Sequence, residues 1–273
     1  MNLQKILSLC LLTIMLSIAV TACKKEPIDP SIPITNPQQP NPLPAHGLLK
    51  QIKWSETDHF TLTYNAQNQV EQLRLQWQYV QGDPTQIRTN LYDFQYDAQG
   101  KLMQVEQSGG WVTKYFYEGD LIQKTQEIYP GGTLASETVF VYANNRIVQE
   151  NYRVSNAPTD PDNLYKRLLS YDVKGNLVKV EIYEQKPDLS YALVQTNTYS
   201  DFDDQLNPTN WLLRHPYLPQ VRWQFNNPRK EIVQTGSDLP KTITYAYEYN
   251  AQGLPISKLE NSTAGPISVQ LIY

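Results

Sequence analysis

The residue best placed to do chemistry in this sequence is a thiol. Val20-Thr21-Ala22-Cys23 closes an apolar run from Ile6 to Val20, and Lys5 precedes that run. A positive start, about fifteen apolar residues and a small-residue cleavage site make a secretory signal peptide over 1–22. The run is shorter than the roughly twenty residues a membrane-spanning helix needs. A cysteine directly after the cleavage site is placed to receive diacylglycerol, so Cys23 is the expected lipidation site. Acyl chains of the palmitate type contribute about 0.8 kcal/mol per buried CH₂, and two or more give stable anchoring without a span. The other cysteine, Cys10, lies in the segment to be removed. The folded part therefore lacks thiols, and with them disulfides, thiolate metal sites and cysteine nucleophiles.

The remaining candidates are weaker. Asp201-Phe202-Asp203-Asp204 and Asp160-Pro161-Asp162-Asn163 carry the hard oxygens Ca²⁺ prefers, but not EF-hand spacing or its closing Glu. Solvated acidic turns and no metal are expected. His46, His59 and His215 stand far apart with no ligand-type spacing, and no GxSxG, HExxH or phosphate loop is present. No catalytic residue and no cofactor is assigned. Trp111 follows Ser108-Gly109-Gly110 and Tyr129 precedes Pro130-Gly131-Gly132. If exposed beside those turns, the two rings suit stacking on a glycan; for most other aromatics core packing is the default.

These residues are carried by three segments: the signal peptide 1–22, the lipidated cysteine and tether 23–46, and a single β domain 47–273. The tether holds seven prolines (27, 30, 33, 37, 40, 42, 44), which block helix and sheet and favour an extended spacer. Without residues 1–22 the chain has 22 basic against 27 acidic side chains and no Lys/Arg run. That excludes a nucleic-acid footprint.

Within the domain one short pattern recurs: YNAQNQV (64–70), YDAQGKL (96–102), YDVKGNL (171–177) and YNAQGLP (249–255), with the shorter YEGDLI (117–122) and YANNRI (142–147). The flanks alternate, as in Phe60, Leu62, Tyr64 and in Leu73, Leu75, Trp77, Tyr79. Period two with aromatic enrichment marks half-buried strands. Asn68, Gly100, Gly175 and Gly253 fall where a turn needs φ > 0, and the preceding Asp or Asn can cap it. Pro255 cannot donate to a ladder, which suggests an edge or a bulge. The repeat is thus read as hairpins rather than as a site used four times.

Landmark aromatics from Tyr64 to Tyr273, Phe225 among them, give about fifteen strands in an antiparallel meander. A sheet so wide must curl or split. A barrel-like curl is expected, with a two-layer sandwich as the alternative. Asn207 and Pro208 announce one short helix near 208–215, stopped by Pro216. The last strand, ISVQLIY, ends like those of outer-membrane barrels, but Arg74, Lys114, Glu137, Lys179 and Glu181 on the opposite face argue against a lipid-facing band.

The VTAC box, the proline-rich tether, the hairpins and the run YSDFDDQLNP (199–208) with FNNPRKEI (225–232) resemble uncharacterised Bacteroides-type lipoproteins built from degenerate YD/Rhs-like hairpin repeats, described as porin-like in fold. The resemblance implies a fold and a location, the outer membrane facing periplasm or cell surface, and no activity. The expected protein is a lipid-anchored envelope β protein with a non-catalytic binding or scaffolding role and an unknown ligand, alternatively glycan-binding, or third an envelope hydrolase. Its expected partners are the membrane through Cys23 and a glycan or envelope protein; a monomer is expected.

Overall fold

The structure, a computed structural model, describes residues 47–80, 83, 85–155, 163–209, 217–219 and 221–273. Cys23, the tether, His46, Asp160, Asp162 and His215 lie outside them. The first eight strands are β1 (Gln51–Lys53), β2 (His59–Tyr64), β3 (Val70–Gln78), β4 (Ile87–Tyr96), β5 (Leu102–Gln107), β6 (Val112–Glu118), β7 (Leu121–Ile128) and β8 (Leu134–Ala143). The second eight are β9 (Arg146–Val154), β10 (Asn163–Tyr171), β11 (Leu177–Gln185), β12 (Tyr191–Ser200), β13 (Lys230–Thr235), β14 (Lys241–Tyr249), β15 (Pro255–Ser262) and β16 (Gly265–Ile272).

Each strand pairs antiparallel with the next, and β1 pairs with both β2 and β16, setting Ile52 opposite Phe60 and Leu271. The sheet therefore closes. Sixteen strands agree with the expected count of about fifteen, but the two-layer sandwich is overturned, because a closed sheet has neither a free edge nor a second layer. The expected helix is overturned too: no α-helix occurs among the described residues. Pro208 and Thr209 form a bend in which Asn207 Oδ1 accepts from Thr209 N and Thr209 Oγ1, both at 3.0 Å. The Asn-Pro pair that announced an N-cap closes a side-chain turn instead. Residues 210–216 lie outside the described residues.

An antiparallel meander puts alternate connections at alternate ends. All the repeated turns consequently ring one rim, here the turn rim, together with residues 47–50 and Tyr273. Their geometry follows the residue types. Asp97 Oδ1 accepts from Gln99 N (2.9 Å) and Lys101 N (2.8 Å), and Asn65 and Asn250 do the same in their turns. Gly100, Gly175 and Gly253 have φ of 79°, 94° and 75°, and Asn68 has 60°.

The register slips at every one of these tyrosines: after Thr63, Gln95, Phe116, Val141, Ser170 and Glu248 the partner strand carries one extra residue. Pro255 sits at such a bulge, opposite Tyr249. The tyrosine faces inward by the alternation of its own strand, as in Phe60, Leu62 and Tyr64, and its hydroxyl donates to a backbone carbonyl of the preceding repeat. Tyr96 donates to Val70 O (2.8 Å), Tyr117 to Leu102 O (2.9 Å), Tyr142 to Ile122 O (2.9 Å) and Tyr171 to Ile147 O (2.7 Å). Tyr64 and Tyr273 extend the ring through Leu49 O and Pro255 O. The core, with Leu73, Leu102, Ile122, Ile147, Leu177 and Val269 at its centre, lies inside this ring.

Candidate functional site

The long connection 201–229 leaves β12 at the turn rim and enters the lumen. Leu218 and Trp223 are buried, and Tyr115 donates to Tyr217 O at 2.6 Å. The Tyr217 ring meets the inward Tyr92 edge-on at 5.3 Å. Trp223 O accepts from Leu177 N at 2.8 Å, so the insertion also seals against the β10–β11 turn. A buried amide network fixes it: Asn176 Oδ1 accepts from Phe225 N and Asn226 N (2.9 Å each), and Asn176 Nδ2 donates to Asp172 Oδ2 (3.1 Å). Phe225 thus belongs to the insertion and not to a strand end, contrary to its expected place among the landmark aromatics.

The acidic turn lies at the base of this insertion. A shallow depression of about 640 Å³ opens there, lined by Asp201, Phe202, Asp203, Asp204, Arg229 and Tyr249. Asp203 is taken up by protein donors: Gln205 N (3.0 Å), Asn227 N (3.1 Å) and Tyr249 Oη. Asp204 pairs with Lys174 at 2.9 Å. Asp203 and Asp204 are thus engaged by protein groups, and no set of three metal-ligating side chains gathers among the described residues. His59, the one histidine among the described residues, starts β2, paired with Gln76 and Lys53.

The other half of the lumen is polar, and the bulges explain why the sequence hid it. After each bulge the apolar residue and the third residue beyond it both face in: Val70 with Leu73, Leu102 with Val105, Leu177 with Val180. In the other three repeats that third residue is Thr125, Glu150 and Lys258. Glu150, with its side chain 3% exposed, accepts from Arg167 Nη1 at 3.1 Å. Ser136 donates to Glu127, while Tyr245 (2.6 Å) and Asn197 (3.2 Å) donate to Glu231. Burial pulls the Lys258 ammonium below its ordinary range, against the opposing pull of Glu260 at 3.7 Å. An i, i+3 spacing that starts at the residue paired with each turn tyrosine was the available signal for these positions.

Trp111 and Tyr129 stand on neighbouring hairpins of the far rim, with ring centroids 4.5 Å apart. Tyr129 keeps 36% of its surface exposed. The structure thus brings the two aromatics singled out in the sequence together, each covering part of the other. A separate groove of about 200 Å³ runs over the outer wall, lined by Glu137, Val139, Asn151, Arg153, Leu164 and Tyr191. None of these but Glu137 was singled out in the sequence, because they meet only through the pairing of β8, β9 and β10 and the approach of Tyr191 from β12.

No family model matches the chain, and no characterised protein matches it in sequence. Among the solved structures similar to this chain are two porin-like proteins. A porin-like protein from Bacteroides uniformis is 12% identical with a TM-score of 0.57, over 82% of this chain and 94% of that one. A porin-like protein from Bacteroides vulgatus is 12% identical with a TM-score of 0.57, over 83% and 98%. At such identity the likeness is one of fold. Lipid attachment and kinship with YD repeats rest on the sequence alone.

Proposed function

We propose that this chain is a lipid-anchored, non-catalytic barrel of the cell envelope, held at the outer membrane by acyl chains on Cys23 and displaying a water-facing wall for binding or scaffolding. The observation that carries the reading is the polarity of the wall. By register, Gln72, Arg74 and Gln76 on β3, Lys114 on β6, Lys124 and Glu137 on β7 and β8, and Lys179 and Glu181 on β11 all point away from the packed lumen. They pair with one another there, Lys124 with Glu137 at 3.2 Å and Lys179 with Glu181 at 3.0 Å. A barrel that spans a bilayer needs an apolar outer band about 25 Å tall. This wall interleaves those charged and amide side chains with scattered apolar ones such as Phe116, Val141, Leu193 and Leu259, so we assign membrane attachment to the lipid. Residues 47–50 lie at the turn rim, the end closed by the insertion.

Cys23→Ser is expected to move the protein from almost wholly membrane-bound to almost wholly soluble and folded without detergent, since nothing else supplies the acyl-chain free energy. Mass spectrometry of the wild-type N-terminal peptide reads the lipid directly. A Cys23→Ser protein that stays in the membrane, or an unmodified Cys23 in the wild type, contradicts the reading.

A further inference from the structure

Seven turns among the described residues share one plan, and one of them breaks its rule. In 65–69, 97–101, 107–111, 129–133, 172–176, 186–190 and 250–254 the first N–H donates to the fifth carbonyl, and the fourth N–H to the first carbonyl. The fourth residue has positive φ in all seven. It is Gly in five turns and Asn68 in a sixth, but in the β11–β12 turn it is Leu189, at 68°. A leucine strains the backbone there, whereas Gly and Asn do not. Packing does not compensate, because Leu189 is 74% exposed. Folding therefore does not explain Leu189, and strain kept without a packing gain points to function.

Leu189 stands on the far rim, opposite the turn rim, and exposed apolar side chains concentrate at that end. Trp54, Tyr79, Val80, Tyr129, Leu189 and Leu239 lie in far-rim connections, each at least 36% exposed. In the described connections of the turn rim only Val173 is of that class. The far-rim rings are partly engaged: Trp54 meets Phe60 edge-on at 4.8 Å, Tyr129 packs on Trp111, and Arg88 lies 4.5 Å over Tyr79. Leu189 and Leu239, the latter 88% exposed, stand out furthest, on two separate hairpin tips.

Tips spread round one end of a barrel suit a planar partner. Leucine with Trp and Tyr is the set of side chains that settles between lipid headgroups and acyl chains. Charge then selects the lipid. The described far-rim connections carry Glu56, Asp58, Asp83, Asp188 and Asp238 against Lys186. The two terminal residues of each adjoining strand add Lys53, Arg88, Arg153 and Lys241, offset by Glu106, Glu127 and Glu184. The rim is net acidic, so it is repelled by an anionic bilayer and suits zwitterionic headgroups, whose ammonium groups can meet its carboxylates. Reach sets no limit. The 24 residues 23–46 span up to about 70 Å when extended, against about 30 Å for the nine-residue β14.

We propose that the far rim is a docking surface for a zwitterionic phospholipid bilayer, with Leu189 and Leu239 entering the boundary between headgroups and acyl chains. The proposal rests on the envelope reading for the presence of a bilayer, but not on the acyl chains. Two leucines bind too weakly to hold the protein once membranes are diluted, so the contact orients a tethered barrel and does not replace its anchor.

The test uses the acylated protein in vesicles of phosphatidylethanolamine and phosphatidylcholine. An environment-sensitive dye is attached to Ser237→Cys, beside Leu239, or to Ala251→Cys, at the other end of β14; both positions are exposed. Lipid-borne nitroxide is expected to quench the dye at 237 and to leave the dye at 251 unquenched. Leu189→Asn together with Leu239→Asn should abolish most of the quenching at 237, and phosphatidylglycerol in the vesicles should reduce it. Leu189→Asn alone should raise the melting temperature by about 1–3 °C, because it relieves strain and removes no packed side chain. Equal quenching at both positions, quenching at neither, or quenching that survives the double substitution overturns the proposal. So does stronger quenching in anionic vesicles, or a lower melting temperature for Leu189→Asn. The same contrast between 237 and 251 is expected for Cys23→Ser mixed with these vesicles, so a Cys23 found without lipid would remove the anchor and leave the rim standing.

Discussion

Raising the pH from about 9 to about 11.5 unfolds the barrel cooperatively, with tyrosinate absorbance rising as the β signal is lost. An ordinary tyrosine ionises near pH ~10. Burial pushes Tyr64 and Tyr117 up to about 12, and Tyr96, Tyr142 and Tyr273 higher still. The folded pKa values lie above the unfolded ones. The tyrosines' contribution is therefore complete below about pH 10 and is lost as the pH climbs toward the folded values, because the unfolded chain releases protons that the native one retains. Each such tyrosine costs about 1.4 kcal/mol per pH unit in that window. Five of them, discounted by about half because the rings are only partly buried, remove roughly 3–4 kcal/mol by about pH 11. That is a large share of the roughly 5–15 kcal/mol that holds a typical domain together. Spectrophotometric titration with circular dichroism reads both events together. Tyrosines that ionise near pH ~10 in a barrel that stays folded would contradict the hydroxyl-to-carbonyl ring.

Trp223→Ala lowers stability by about 3–5 kcal/mol, the usual cost of truncating a large buried aromatic. Trp223 is 2% exposed, and its carbonyl accepts from Leu177 N at 2.8 Å, so its loss opens a void where the insertion meets the β10–β11 turn. Val173, in that same turn, is fully exposed, and Val173→Ala should change stability by no more than about 0.5 kcal/mol. Urea denaturation of the two variants beside the wild type gives the comparison. A loss below about 1 kcal/mol for Trp223→Ala would mean that the insertion lies on the rim without closing the lumen.

Much of this fold is legible in the sequence, and the exceptions share one cause. Alternation marked the strands, and residue type marked the turns. Asn68 and the neighbours Asn144 and Asn145 adopt the positive φ their types allow, at 60°, 52° and 57°. Strict period two, however, gives the wrong phase beyond a bulge. Glu150 and Lys258 therefore read as solvated, although register places them inside the barrel. Closure was out of reach for a related reason, since the pairing of β1 with β16 joins the two ends of the domain. At 207–209 the local signal was genuine but ambiguous, because an Asn before Pro serves a helix start and a side-chain turn alike. The groove was the hardest to see. Glu137, Arg153 and Tyr191 lie far apart in the chain, and only the strand pairing brings them together.

The central claim is that the outer wall meets water around its whole circumference. Cys23 is the one cysteine outside the segment 1–22, so single cysteines introduced at Arg74, Lys114, Glu181 and Ser257 report on four sides of the wall. The decisive measurement is their labelling rate with a charged, membrane-impermeant maleimide in isolated, opened envelopes, before and after detergent. Rapid labelling at all four positions, unchanged by detergent, is the predicted result. A belt of positions that label only once the bilayer is dissolved would show strands embedded in lipid and would contradict the account.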